Sequence, residues 1–236
     1  MEETLHRAPP APCQLAFDLP HPTNSALTDF LPAAGNSAAL DAVLRWPSWP
    51  GPALLLVGPP AAGKSHLARI WAARAGAVLL GGAELWAAAR PLARLGEALS
   101  CVVDDAESVL DEEILFHLYN RVAERRGGLM LTATVPIPDW NLRLPDLRSR
   151  LRTAWTVRID PPDDALLAAL LVKQFADRQL RVDAGVIDFL VPRMERSFAG
   201  ARHLVVALDR ASLRARRPVT LALARAVLEE LAGVEA

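Results

Sequence analysis

Apolar positions along the chain fall into two regimes. Between residues 53 and 159, short unbroken apolar runs alternate with stretches of helical spacing. The runs are Ala53–Val57, Ala77–Leu80, Ser100–Asp105, Gly128–Thr134 and Ala154–Ile159. Each has the length and uniform hydrophobicity of a strand buried on both faces. Between them, Lys64–Ala75, a stretch around Ala83–Arg90, and Asp111–Arg126 read as helices; in the last, Ile114, Leu115, Leu118 and Val122 share one face. Five strands alternating with helices predict an α/β fold with a parallel sheet flanked by helices. An earlier helix, Asn36–Trp46, carries Leu40, Val43 and Leu44 on one face, and the proline-rich "WPSWPGP" ends it.

After "DPPDD" the strands stop. Asp163–Arg178, Asp183–Met194, Ala199–Arg214 and Leu221–Leu231 all have helical periodicity, with Asp183 and Thr220 as expected N-caps. The expected organisation is an N-terminal arm over 1–30, an α/β nucleotide-binding domain over 31–160 and a small all-helical domain over 161–236. Residues 1–12 hold three prolines and few apolar residues, and read as a disordered lead.

Composition narrows the function classes. The chain has 236 residues, is 52% hydrophobic and 22% charged, and carries a formal net charge of −1. Gripping nucleic acid by overall charge is thereby disfavoured, although a local basic patch remains compatible. Cys13 and Cys101 are far apart and form no C-x-x-C pair, which argues against a disulfide framework or structural zinc. Neither a secretory leader nor a bilayer-length apolar run is visible, so the expectation is a cytoplasmic protein without a membrane partner.

The chemistry concentrates in two places. "GPPAAGKS" (Gly58, Pro59, Pro60, Ala61, Ala62, Gly63, Lys64, Ser65) satisfies every fixed position of G-x-x-x-x-G-K-[ST], between a predicted strand and a predicted helix. Its glycines let the backbone wrap phosphates, and N–H groups at a helix N-terminus supply positive potential. Lys64 can reach the terminal phosphates, and the Ser65 hydroxyl can hold Mg²⁺; His66 follows at the same site. Asp104 and Asp105 end an apolar strand at the sheet edge where ligands of open α/β folds gather. Asp104 suits the magnesium shell, in part through water, and Asp105 stands where a water-orienting base would, as a weak one.

Taken with "VVDD", a strand ending "TAT", "LFHLYNR" (115–121), "NLRLPDLRSRL" (141–151) and "PPDD", the chain resembles the Hda branch of the DnaA-related AAA+ proteins. The resemblance runs from about Gln14 to the C-terminus. It implies an AAA+ core with a helical lid, ADP or ATP with Mg²⁺ as ligands, and negative regulation of replication initiation. It further implies Thr134 at the sensor-1 position, where related initiators carry aspartate, Arg150 as an arginine finger acting in trans, and Arg202 on the sensor-2 helix. Charge alone does not separate Arg150 from Arg143, Arg148 and Arg152. Gln14, Leu15, Phe17 and Leu19 resemble the clamp-binding peptide of this family. The implied partners are DnaA and the DNA polymerase III sliding clamp on DNA, with no sequence-specific DNA contact and with homo-oligomers allowed. The sequence ends shortly after the helical domain, where DnaA continues into its DNA reader; the resemblance reads this as the Hda architecture. Two other readings use the same motifs: an AAA+ adaptor that stimulates no hydrolysis, and an independent P-loop kinase.

Overall fold

A computed structural model describes residues 30–82, 91–109 and 111–234. The expected arm, with Gln14, Leu15, Phe17 and Leu19, and the helix expected around Ala83–Arg90 lie outside the described residues. Five strands form one sheet in the order β2-β3-β4-β1-β5. They are β1 (Ala53–Val57), β2 (Val78–Gly81), β3 (Cys101–Asp104), β4 (Leu129–Ala133) and β5 (Trp155–Arg158). All pairings are parallel, with Val57 opposite Ala133 in β4 and Arg158 in β5. Parallel neighbours need long crossovers, which is why helices alternate with strands and cover both faces.

The alternation of side chains along each strand builds two cores. Leu55, Val103 and Leu131 face one side, where they meet α3 (Glu112–Glu124) through Leu115, Leu118 and Val122, and α4 (Pro145–Arg152) through Leu147 and Leu151. Leu54, Leu56, Val102 and Met130 face the other side, against α1 (Ser37–Leu44) and α2 (Lys64–Ala75). There Trp71 stacks on Trp49 at 4.9 Å, with Trp46 edge-on to Trp71 at 5.4 Å. Gly128 faces these rings; a Cβ there would lie 2.7 Å from Trp46 and Trp71. Asp111 accepts hydrogen bonds from the N–H groups of Glu113 and Ile114 and so starts α3.

The C-terminal helices α5 (Asp164–Asp177), α6 (Ala184–Leu190), α7 (Phe198–Ala215) and α8 (Leu221–Val234) have their own core, including Leu171, Phe175, Leu190, Leu204 and Leu208. Leu166 and Phe198 pack instead into the α2 side of the sheet core and tie the helical unit to it. Asp163 caps α5 through the Leu166 N–H, and Ser197 caps α7 through the Gly200 N–H.

Several sequence expectations need adjustment. α6 ends at Leu190, short of the expected Met194: Val191 keeps helical angles, but Pro192 has no N–H to continue the hydrogen-bond ladder, and the chain goes on as a turn. Asp183 stands at the N-cap of α6, but its side chain makes no cap bond; its carbonyl takes the Val186 N–H instead. The Thr220 hydroxyl does accept the Leu223 N–H, at 3.4 Å. β2 is shifted one residue from the expected span, and α4 is a helix where the sequence offered only a motif. Among the described residues, no helix is long and apolar enough to cross a membrane.

Candidate nucleotide site

The loop Gly58–Ser65 joins β1 to α2, so it lies at the C-terminal end of β1, which sits between β4 and β5 in the sheet. Gly63 takes the N-cap of α2 with φ of 87°, a left-handed conformation that favours glycine. Gly58 sits against Ile159; a Cβ there would come within 2.9 Å of the Ile159 Cβ. Ala61 adopts φ of 61° without being glycine, a local strain held by the loop around it. His66 stacks on Phe30 at 6.2 Å, and Phe30 is the nearest neighbour a Cβ on Gly63 would meet.

Lys64 is buried, and its Nζ donates to the carbonyls of Gly58 (2.8 Å) and Pro59 (3.0 Å). The ammonium is thus held at the mouth of the loop by weak carbonyl partners that a phosphate can replace. Burial lowers its pKa, while Asp105, Glu107 and Asp104 act in the opposite sense. The lysine therefore stands within the field of three carboxylates.

Those carboxylates form an ordered chain. Ser65 Oγ donates to Asp104 Oδ1 at 3.1 Å, so the phosphate loop and the end of β3 meet. Thr132 Oγ1 donates to the same Asp104 oxygen at 2.5 Å and accepts the Asp105 N–H at 2.9 Å. Asp105 leaves the strand with φ of 53°, which turns the chain into the single 3-10 turn Ala106–Ser108. That turn brings Glu107 back to Thr134, whose N–H (2.5 Å) and Oγ1 (2.7 Å) both donate to Glu107 Oε1. Thr134 lies one residue beyond β4, which ends at Ala133. Burial, then Asp104 and Glu107, raise the Asp105 pKa, against the pull of Lys64.

The donor set fits a phosphate and a hard cation. Loop amides, Lys64 and the α2 N-terminus suit the phosphate, and the Ser65 and Asp104 oxygens suit Mg²⁺. No group of three or more His, Cys, Asp or Glu able to hold a metal occurs among the described residues. A cation here would draw its remaining ligands from phosphate and water, the usual habit of Mg²⁺.

Thr132 and Glu107 were not singled out from the sequence. Thr132 is the one polar residue in the buried run "LMLTA" of β4, a signal that was legible. Glu107 becomes part of the site only because Asp105 adopts its left-handed turn, which no spacing rule announced.

Arg143, Arg148, Arg150 and Arg152, which charge alone does not separate, take different positions in the structure. Glu112 accepts the N–H groups of Arg143 (2.8 Å) and Leu144 (2.6 Å), fixing the start of α4 on α3. Arg148 donates to the Leu142 carbonyl. Arg148 and Arg152, one turn apart, line an open cavity of about 330 Å³ with Asp139 and Trp140. Arg150 lies on another side of α4, exposed, with its guanidinium 5.2 Å from the Phe116 ring and 5.6 Å from the Tyr119 ring. Arg202 is exposed on α7 and makes no hydrogen bond or ion pair among the described residues.

Residues 163–228 match the family model described as the Hda lid domain. The whole fold is similar to solved AAA+ structures. Domain III of the Thermotoga maritima initiator DnaA superposes with a TM-score of 0.74 at 16% identity, covering 90% of this chain and 98% of that one. AMPPCP-bound DnaA from Aquifex aeolicus gives 0.67 at 15% identity, over 82% of this chain and 68% of that one. A Thermotoga maritima RuvB variant gives 0.61 at 19% identity, over 84% and 67%. At these identities the structural likeness shows the fold alone, and the lid match adds a likeness over residues 163–228: the chain has a five-stranded core of the fold seen in these structures and a C-terminal helical unit similar to the Hda lid domain.

Proposed function

We propose that this protein regulates replication initiation by stimulating hydrolysis of the ATP held by DnaA. Residues 1–30 act as the arm, with Gln14, Leu15, Phe17 and Leu19 docking on the DNA-loaded sliding clamp. Residues 31–160 hold ADP or ATP with Mg²⁺ through Gly58–Ser65 and Asp104, and residues 161–236 close over it, with Arg202 facing the nucleotide from the lid. Arg150 enters the neighbouring DnaA subunit's site.

The observation that carries this reading is the state of Arg150. It is exposed and lies over two aromatic rings, and neither a carboxylate nor a carbonyl neutralises it among the described residues. Cation–π contact orients a guanidinium at modest cost and leaves its planar fork of donors available to phosphate oxygens. Arg148, by contrast, spends a donor on Leu142. An arginine delivered to a developing phosphoryl charge accelerates transfer by about 10³–10⁵. Support for DnaA as the partner comes from the Hda-type lid on a DnaA-like core.

The test is hydrolysis of radiolabelled ATP on purified DnaA, with this protein added, with and without clamp loaded on DNA. Stimulation that needs the loaded clamp is the expected result. No stimulation in either arm, with complex formation intact, would replace the regulator reading by that of a non-hydrolytic adaptor.

A further inference from the structure

We propose that the corner where α7 ends and α8 begins is a surface for the phosphate backbone of duplex DNA, which it takes without reading sequence. A net charge of −1 leaves room for a local basic patch, and Arg210, Arg214, Arg216 and Arg217 make one here. Such a contact is independent of the clamp-binding arm and of Arg150.

The charge is concentrated and unopposed. Between Arg210 and Leu228 the chain has five arginines and neither aspartate nor glutamate. Arg210, Arg214, Arg216 and Arg217 are all exposed. Arg210 and Arg214 stand one turn apart on α7, about 6 Å along its axis, where like charges repel. Asp209, the nearest acid in sequence, turns to Arg178 at 3.7 Å. Arg214, Arg216 and Arg217 have no ion pair among the described residues. The dipole of α7 favours a cation in its last turn, which accounts for Arg214 and not for the three around it. The helix end is also held in place. Arg216 takes a left-handed conformation, φ of 51°, and its N–H returns to the carbonyls of Leu213 and Ser212. The Arg217 N–H donates to the Ser212 carbonyl (3.3 Å), and the Ser212 hydroxyl donates to the Arg217 carbonyl (2.6 Å). This reversal fixes where Arg216 and Arg217 leave the helix.

Duplex DNA matches this surface best. It carries one negative charge per about 1.7 Å of its axis, so guanidinium groups spread over a helix end each find a phosphate, which the planar fork binds through paired donors. Single strands are gripped by aromatic stacking as well as by charge, and Arg210–Leu228 holds no aromatic residue. A bilayer surface calls for an apolar face. The apolar side of α8, with Ala224 and Val227, is packed in the core of the helical unit, which leaves Leu213 and Leu221 as the large apolar side chains exposed at the corner. The same stretch holds no Asn, Gln, Asp or Glu to sort base edges, so its contacts go to phosphates.

The test is fluorescence anisotropy of the full-length chain with labelled duplexes of two unrelated sequences, without clamp. Equal affinity for both is expected, falling with salt at a log–log slope of about −3 to −4 for three or four phosphate contacts. Arg216→Gly suits the left-handed position, so it should keep or raise Tm while it weakens DNA binding and makes the slope shallower by about 1. Arg214→Gln, Arg216→Gly and Arg217→Gln together should make it shallower by about 3 and lower affinity by at least about tenfold, with mant-ADP binding unchanged. If the triple variant does not fold, Arg216→Gly carries the test. Arg74→Gln with Arg126→Gln removes exposed positive charge from the α/β core and should leave DNA affinity near the parent's. No binding by the parent, a clear preference for one sequence, or an equal loss in the core variant overturns the proposal. Capture on phosphatidylglycerol vesicles without DNA binding assigns the corner to a membrane, and polyglutamate competing charge for charge with duplex assigns it to an acidic protein; either result overturns it too.

Discussion

Thr132 offers the sharpest test of how the site is built. It is fully buried in β4, and its hydroxyl holds two groups at the end of β3 at once, donating to Asp104 Oδ1 and accepting the Asp105 N–H. Thr132→Val keeps the shape and removes both bonds. A hydrogen bond to a charged carboxylate contributes about 1.5–3 kcal/mol. The Asp105 amide is only partly buried, so water can replace its partner and its loss adds at most about 1 kcal/mol. Burying a methyl in place of the hydroxyl returns about 1 kcal/mol. The net expectation is destabilisation by about 0.5–3 kcal/mol, or a fall in Tm of roughly 1–12 °C for a chain of this size. Thr132→Ser keeps the hydroxyl and loses one methyl, at about 1 kcal/mol. Urea unfolding without nucleotide should rank parent, Ser, then Val by midpoint at a constant slope. Asp104 would also be free to rotate away from Ser65, so the Val variant should need more magnesium for nucleotide binding. A Val variant as stable as the Ser variant, with unchanged magnesium dependence, would refute the view that Thr132 aligns Asp104.

Lys64→Ala should abolish calorimetric binding of Mg–ADP while leaving the fold intact, because loop amides alone do not replace the buried ammonium. Arg150→Ala should keep stability and nucleotide binding and lose the stimulation of DnaA-bound ATP hydrolysis; Arg150→Lys should recover little, since a point charge lacks the planar fork. Replacing Gln14 and Leu15 by alanine should abolish clamp capture in a pull-down and leave ADP affinity unchanged. Cys101 is buried and its thiol pKa is pushed up from 9.0 to about 12 by burial. Between those values the folded state holds a proton that the unfolded state has released, so this group's contribution to stability falls as pH rises from about 9 toward 12, by up to about 1.4 kcal/mol per pH unit. Comparing Cys101→Ala with the parent across that range isolates the effect, and in a Cys13→Ser background a thiol reagent should label the native chain only at the rate of unfolding.

The order of strands and helices was legible because it is written in period. Unbroken apolar runs such as Ala53–Val57, too short for a helix and bounded by glycine and proline, read as strands covered on both faces, and the spacing in Lys64–Ala75 gives that helix its observed ends. The strand–loop–helix placement of Gly58–Ser65 was legible because the motif is read between a strand and a helix. Helix ends were less so: Asp183 has a capping residue's identity without its hydrogen bond, and α6 stops early before Pro192. What only the tertiary structure decided is which side chains meet. Arg148, Arg150 and Arg152 are equivalent as charges in the sequence; helical phase on α4 turns Arg150 onto the rings of α3 and the other two toward a separate cavity. Glu107 and Thr134 are 27 residues apart and come together because β3 and β4 are parallel neighbours and Asp105 turns left-handed between them. Local pattern fixes period and turn chemistry, whereas contacts across a sheet depend on register and on a single backbone reversal, neither of which is encoded in the spacing of residues along one segment.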